Sequence, residues 1–225
     1  MQLTMDHRRV GDADVVTCTG RIIAGAEAAA LQKQLDELSV FGRHIVLHLG
    51  GVDYIDSGGL GLLVRNLMHA RRTAGSLTVC AVSPKIDEVL RVTRLKGVFP
   101  RYDTEEAAIS EVHRSDEGAD AAAMTVLCVD GSRDIGTYLR ELLKASGYYV
   151  LTAQNLPDAL ILLVATKPKI VVISAELAAL HTTRSAEEFH RLAAQRTVVQ
   201  LPKGFSALEA TDAATEVLKA IGAAN

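Results

Sequence analysis

Residues 54–61 read YIDSGGLG, and the fold of the first half of the chain depends on how that octapeptide is taken. Upstream, HIVLHL at 44–49 is an almost unbroken apolar run of strand length. Downstream, Leu60, Leu63, Val64, Leu67 and Met68 recur at i, i+3, i+4, i+7 and i+8, which predicts a helix over 58–73. A strand, a tight turn and a helix therefore meet at Asp56 and Ser57, the arrangement expected in an α/β protein.

Moving outward, VVTCT (15–19) and SLTVCAV (76–82) alternate or run apolar as strands do. Leu31, Leu35 and Leu38 share one helical face after an Ala-rich start. Ser83-Pro84 reads as an N-cap with proline at the first helical position, followed by the stripe Ile86, Val89 and Leu90. Asp103 with Glu106 makes a capping-box-like start for a helix over 104–112. The stretch 113–123, HRSDEGADAAA, has no large apolar residue and no face worth burying, so it is read as a linker between domains at 1–112 and 124–225.

Beyond that linker the rhythm is plainer. Strands are expected at 125–129 (TVLCV), 148–153 (YYVLTA), 170–174 (IVVIS) and 197–201 (TVVQL), with helices around 134–145, 157–165, 185–195 and 207–221. Strands alternating with helices of that length imply right-handed crossovers and a parallel sheet.

At 225 residues the chain is long enough for two domains of about 100 to 120 residues, each able to bury a core without disulfide or metal. The three cysteines, Cys18, Cys80 and Cys128, lie among apolar neighbours without C-x-x-C spacing, as reduced core residues of a cytoplasmic protein would. No signal-peptide h-region opens the sequence, and charges interrupt every apolar run, so no membrane association is expected. A net charge of −3 with both signs interspersed argues against a nucleic-acid surface.

Ser57 admits three readings. Asp-Ser-Gly-Gly suits a serine protease, but a serine nucleophile needs a positioned base and an oxyanion hole. His44 and His48 stand on one side of a strand roughly 13 Å apart and aim at nothing in particular, and a serine that opens an amphipathic helix is the wrong context. Alternatively Ser57 or Asp56 is a plain N-cap. That leaves Gly58 and Gly59 unexplained, since each costs about 1 kcal/mol relative to Ala inside a helix; close approach of other atoms or a positive φ would account for them. In the third reading Ser57 accepts a phosphate, which a helix N-terminus tolerates and favours by about 0.3 to 1 kcal/mol.

IVLHLGGVDYIDSGGLGLLV, with GRIIAGAEAAAL before it and GSLTVCAVSPKIDEVLRVTRLKGVF after it, resembles the STAS family and specifically the bacterial anti-sigma-factor antagonists, over about residues 3–112. The resemblance implies a mixed sheet with helices, and a non-enzymatic partner-switching role in transcription regulation. By it, Ser57 is the phosphorylation site, and Asp56, Gly58, Gly59, Leu60 and Gly61 shape the switch turn. It also implies two partners, an ATP-binding serine-kinase anti-sigma factor that binds the unmodified form and a serine phosphatase that restores it. This chain has Gly58 where Ser or Ala is frequent, and no acidic residue in Ile22–Gly25.

MTVLCVDGSRDIGTYLRELLKASGYYVLTAQNLPDALILLVATKPKIVVIS, at 124–174, is similar to a response-regulator receiver, which implies a flavodoxin-like parallel sheet. Its chemistry is incomplete. Asp130 alone remains of the acidic pair that holds Mg²⁺, Ser174 stands where the acceptor aspartate would be, and Lys203 in LPKGF matches the usual lysine with its proline reversed. One strand rather than two follows Ser174, so a pseudo-receiver without phosphotransfer is expected, with Asp130 capping helix 134–145. His181 and His190 lack ligand spacing and are read as surface residues. No cofactor or metal is expected. The rival reading is a scaffold in which Ser57 is never modified, and a homodimer fits the sequence as well as a monomer.

Overall fold

The computed structural model describes residues 2–39, 43–73, 75–117, 124–205 and 210–223. The chain forms two compact units, Met1–His113 and Arg114–Asn225. The first is a mixed α/β STAS fold. Its five-stranded sheet has the order β1 (Thr4–Val10), β2 (Ala13–Ile22), β3 (His44–Ile55), β4 (Ser76–Cys80), β5 (Arg101–Tyr102). β1 runs antiparallel to β2; the other neighbours are parallel. The helices are α1 (Ala26–Ser39), α2 (Ser57–Arg72), α3 (Pro84–Val92) and α4 (Glu105–Glu117). Leu31 and Leu35 of α1, Leu62, Leu63 and Leu67 of α2, and Ile86 and Leu90 of α3 close one core with Ile45, Leu47 and Leu77 of the sheet.

β3 is twice as long as HIVLHL suggests, because two irregularities let it continue past Gly50-Gly51. Between the pairs Thr17↔His48 and Thr19↔Gly51, and again between Gly20↔Val52 and Arg21↔Tyr54, β3 carries one residue more than β2. Each such bulge resets which residues face inward, so Val52 and Ile55 both reach the core although they are three apart. A Cβ on Gly51 would stand 2.6 Å from Thr19 Oγ1, which is why the first bulge takes glycine. β1 is an edge strand held by backbone pairing, and its sequence TMDHRRV carries little apolar alternation to announce it.

Two helix starts of the first unit differ from expectation. Thr104, not Asp103, supplies the cap of α4, its Oγ1 accepting from Ala107 N at 3.2 Å, and the helix runs on to Glu117. The first five residues of the stretch read as a linker are therefore helical; 118–123 lie outside the described residues. Ser83 precedes α3 as expected, but its hydroxyl donates to Val52 O at 2.8 Å instead of capping.

The second unit is a parallel four-stranded sheet with helices, in keeping with a flavodoxin-like fold. Its order is β7 (Tyr149–Ala153), β6 (Thr125–Val129), β8 (Ile170–Ile173), β9 (Thr197–Gln200). The helices are α5 (Arg133–Ala145), α6 (Leu156–Thr166), the single turn α7 (Ala175–Ala178), α8 (Arg184–Ala193) and α9 (Ala210–Ala223). Val126, Cys128, Ile170 and Val172 face Leu139, Leu143, Val217 and Ile221 in a core of its own. All three cysteines are buried, and burial pushes each thiol up to about 12, which keeps them protonated and inert. No described helix is long and apolar enough to cross a membrane.

Candidate functional site

β2 and β3 end side by side, with Ile22 opposite Ile55, and the chain turns at Asp56 directly into α2. Asp56 is the N-cap. Its Oδ1 accepts from Gly59 N at 2.8 Å and its Oδ2 from Ala24 N at 2.9 Å, while its own N–H donates to Ile22 O at 3.2 Å. One side chain thus satisfies an orphan donor of the helix and ties the Ile23–Gly25 loop to it. These hydrogen bonds, from Gly59 and then Ala24, hold the Asp56 carboxyl below its ordinary range, with help from Gly58 and the charge of Arg21.

Ser57 is consequently spared the capping role. It is the first residue of α2 and exposed, and among the described residues its hydroxyl has no hydrogen-bond partner. Of the two explanations for the glycines, close approach is the right one. A Cβ on Gly59 would lie 2.5 Å from Ile22 O, and one on Gly58 2.7 Å from the Ala24 Cβ, so the helix can seat against the end of β2 only without side chains there. Neither glycine has a positive φ. Gly61 differs, because a Cβ there would meet only Arg65, at 3.8 Å. Leu60, 7% exposed, anchors the first turn in the core.

His44 and His48 offer no base to Ser57. His44 begins β3, at the end remote from the turn, and its Nδ1 pairs with Ser76 Oγ at 2.8 Å; His48 Nδ1 accepts from Gly50 N at 3.4 Å. Sequence reasoning passed over Arg21 and Tyr54. They sit opposite each other in the last pairs of β2 and β3, with the guanidinium carbon 5.1 Å from the ring centre. Only the bulged register brings them together, and no spacing in the sequence signals it.

In the second unit Asp130 and Ser174 follow the paired strands β6 and β8, whose last pair is Val129↔Ile173. Asp130 is not the cap of α5. Its Oδ1 accepts from Ser132 N at 2.7 Å within the preceding turn, and Ser132 is the N-cap, accepting from Ile135 N. The carboxylate stands two residues ahead of the N-cap position, too far from the helix for its first N–H groups, and takes the nearer donor. Burial pushes the Asp130 carboxyl up, and the nearby charge of Glu176 adds to this. Ser174 caps the single turn α7, accepting from Leu177 N at 3.4 Å. Lys203 is exposed in the loop after β9.

Among the described residues no group of three or more His, Cys, Asp or Glu is placed to hold a metal ion. His181 and His190 do meet, with ring centres 4.3 Å apart, and His190 Nε2 bonds to Leu180 O at 2.9 Å.

The family model for the STAS domain matches residues 5–108. An anti-sigma F factor antagonist of Paenibacillus polymyxa is 33% identical over 114 residues, covering 50% of this chain and 95% of the relative. Among solved structures, an anti-sigma-factor antagonist (STAS) domain protein from Planctomyces limnophilus aligns at 25% identity and a TM-score of 0.43, over 50% of this chain and 99% of that one. An anti-sigma factor antagonist from Mycobacterium paratuberculosis aligns at 24% identity and a TM-score of 0.45, over 50% and 95%. Through its N-terminal half, the chain belongs to the STAS domain family.

Proposed function

We propose that this is a partner-switching protein, an anti-sigma-factor antagonist that binds a kinase-type anti-sigma factor while Ser57 is unmodified and releases it once Ser57 is phosphorylated. A serine phosphatase would restore the binding form. The observation that carries this is the division of labour at the turn. Asp56 does the capping, so the exposed Ser57 hydroxyl is spare, and a phosphate there leaves the helix cap in place. The similarity to the Paenibacillus polymyxa antagonist supplies the partner class.

Phosphorylation adds about −1.5 to −2 charges beside the Asp56 carboxylate at an exposed surface, enough to disrupt a docked interface without unfolding the domain. A loss of about 2 to 4 kcal/mol there weakens binding roughly 30- to 1,000-fold. The second unit acts as a pseudo-receiver that adds an interface rather than a phosphotransfer site. Ser174 supports that reading, because its hydroxyl serves as a helix cap where acyl-phosphate chemistry needs a carboxylate. The protein binds rather than turning over substrate, and works in the cytoplasm.

The test is a pull-down from native lysate with wild type, Ser57→Ala and Ser57→Asp as baits, read by mass spectrometry. Wild type and Ser57→Ala are expected to retain an ATP-binding serine kinase that Ser57→Asp loses. Equal retention by all three, with no kinase among the captured proteins, would leave the scaffold reading standing instead.

A further inference from the structure

Beside the Ser57 turn stands a cation that capping does not need. Arg21 is the penultimate residue of β2, exposed, and its guanidinium lies over the Tyr54 ring. Tyr54 is itself 48% exposed, which burial in a core does not explain. An exposed arginine ordinarily samples many rotamers, and its pairings are weak partly because ordering it costs entropy. Stacking on an aromatic ring removes part of that freedom and leaves the N–H fork available. The next residue, Ile22, accepts from Asp56 N at 3.2 Å, which sets Arg21 beside the turn, and the Arg21 charge helps to hold the Asp56 carboxyl low.

A phosphate on Ser57 needs such a cation. Of the N–H groups that the first turn of α2 offers an anion, that of Gly59 is already taken by Asp56 Oδ1, and the Asp56 carboxylate repels a second negative group. We propose that Arg21, oriented by Tyr54, is the counter-ion of phosphorylated Ser57, binding its phosphoryl oxygens through the guanidinium fork and fixing where the phosphate points. This rests on Ser57 as the phosphate acceptor. Arg21 is a positioning residue, since it acts on the modified serine and not on the transfer itself. The competing cation is Arg65, which folds back over Gly61 on the same helix.

The experiment places phosphoserine at position 57 of the full chain by expanded-code translation, so no kinase or partner is needed, and follows the second ionisation of the phosphate by ³¹P NMR. An adjacent guanidinium favours the dianion and lowers the midpoint. Arg21→Gln is expected to raise it by about half a unit or more, and Tyr54→Leu by less, while Arg21→Lys keeps much of the effect. Arg65→Gln should leave it unchanged. Amide spectra of the unphosphorylated variants report whether the fold is intact. An unchanged midpoint in Arg21→Gln, or a shift with Arg65→Gln alone, overturns the proposal. The pull-down above reads partner loss without reference to Arg21, so failure of the counter-ion and failure of the switch are told apart.

Discussion

Two aspartates at strand ends are shifted in opposite directions, Asp56 down and Asp130 up, and the difference is measurable. Asp56 accepts from two backbone N–H groups and its carboxyl is held low, so its ionised form adds stability above the ordinary carboxylate range and loses it as pH falls through the depressed value. Asp56→Asn is expected to lower the urea midpoint of the first unit at pH 7, with the gap to wild type closing as pH falls below the ordinary carboxylate range and through the depressed value. Asp130 is pushed up by burial, so its ionisation costs the folded state and the penalty grows as pH rises above the ordinary carboxylate value. Asp130→Asn should therefore gain on wild type as pH rises from about 3 to 7, the opposite trend, while its oxygen still accepts from Ser132 N. Urea titrations of both variants across that range, followed by amide NMR, separate the two. The sequence marked both residues but not their jobs. Asp56 and Ser57 are equally good N-caps by type, and Asp130 and Ser132 likewise, so only the placed donors decide between neighbours.

The Ser57 turn is built at the scale of elements, where α2 seats on the end of β2. Gly59 has no room, since any Cβ meets the Ile22 carbonyl oxygen, a backbone atom that cannot swing away. Gly59→Ala is expected to destabilise the first unit by about 1 to 3 kcal/mol through this overpacking, and to disturb the Ser57 turn with it. Gly61→Ala, one half-turn later, meets only the far end of the flexible Arg65 side chain. It should be neutral or stabilising by up to about 1 kcal/mol, because alanine is the better helix former. Paired urea unfolding curves test the contrast, and equal costs at the two positions would mean that the close approach is not what keeps Gly59. The apolar stripes of α1 and α3, and Leu60, Leu63 and Leu67 of α2, were legible because they face one core with helical period; Met68, read into the same α2 stripe, is exposed, and Leu62, left out of it, is buried. The length of β3 was not. Its two bulges break the period of two on which strand reading relies, and Gly50-Gly51 looks like a strand end when it is a strand passing close to Thr19.

For the whole molecule, the question is whether each unit carries enough of its own core to fold without the other. Among the described residues, one core cluster is drawn from residues between Val16 and Phe99 and another from residues between Val126 and Ile221. Each unit has its own complete sheet order and falls in the size range where a single core suffices. The alternation of strand and helix after residue 124 was legible because buried parallel strands read as short apolar runs, and TVLCV and IVVI are such runs. A fragment of residues 1–117, ending where α4 ends, is therefore expected to unfold in urea as one cooperative transition with an m value of about 1 to 2 kcal/mol per molar. Its amide spectrum should be dispersed, with the signals of Gly58, Gly59 and Leu60 resolved and responsive to Ser57→Asp. If the fragment captures the same kinase as the full chain and with the same dependence on Ser57, the switch resides wholly in the STAS unit. A fragment that folds but binds at least tenfold more weakly would place part of the interface in the second unit, as the role proposed for that unit requires.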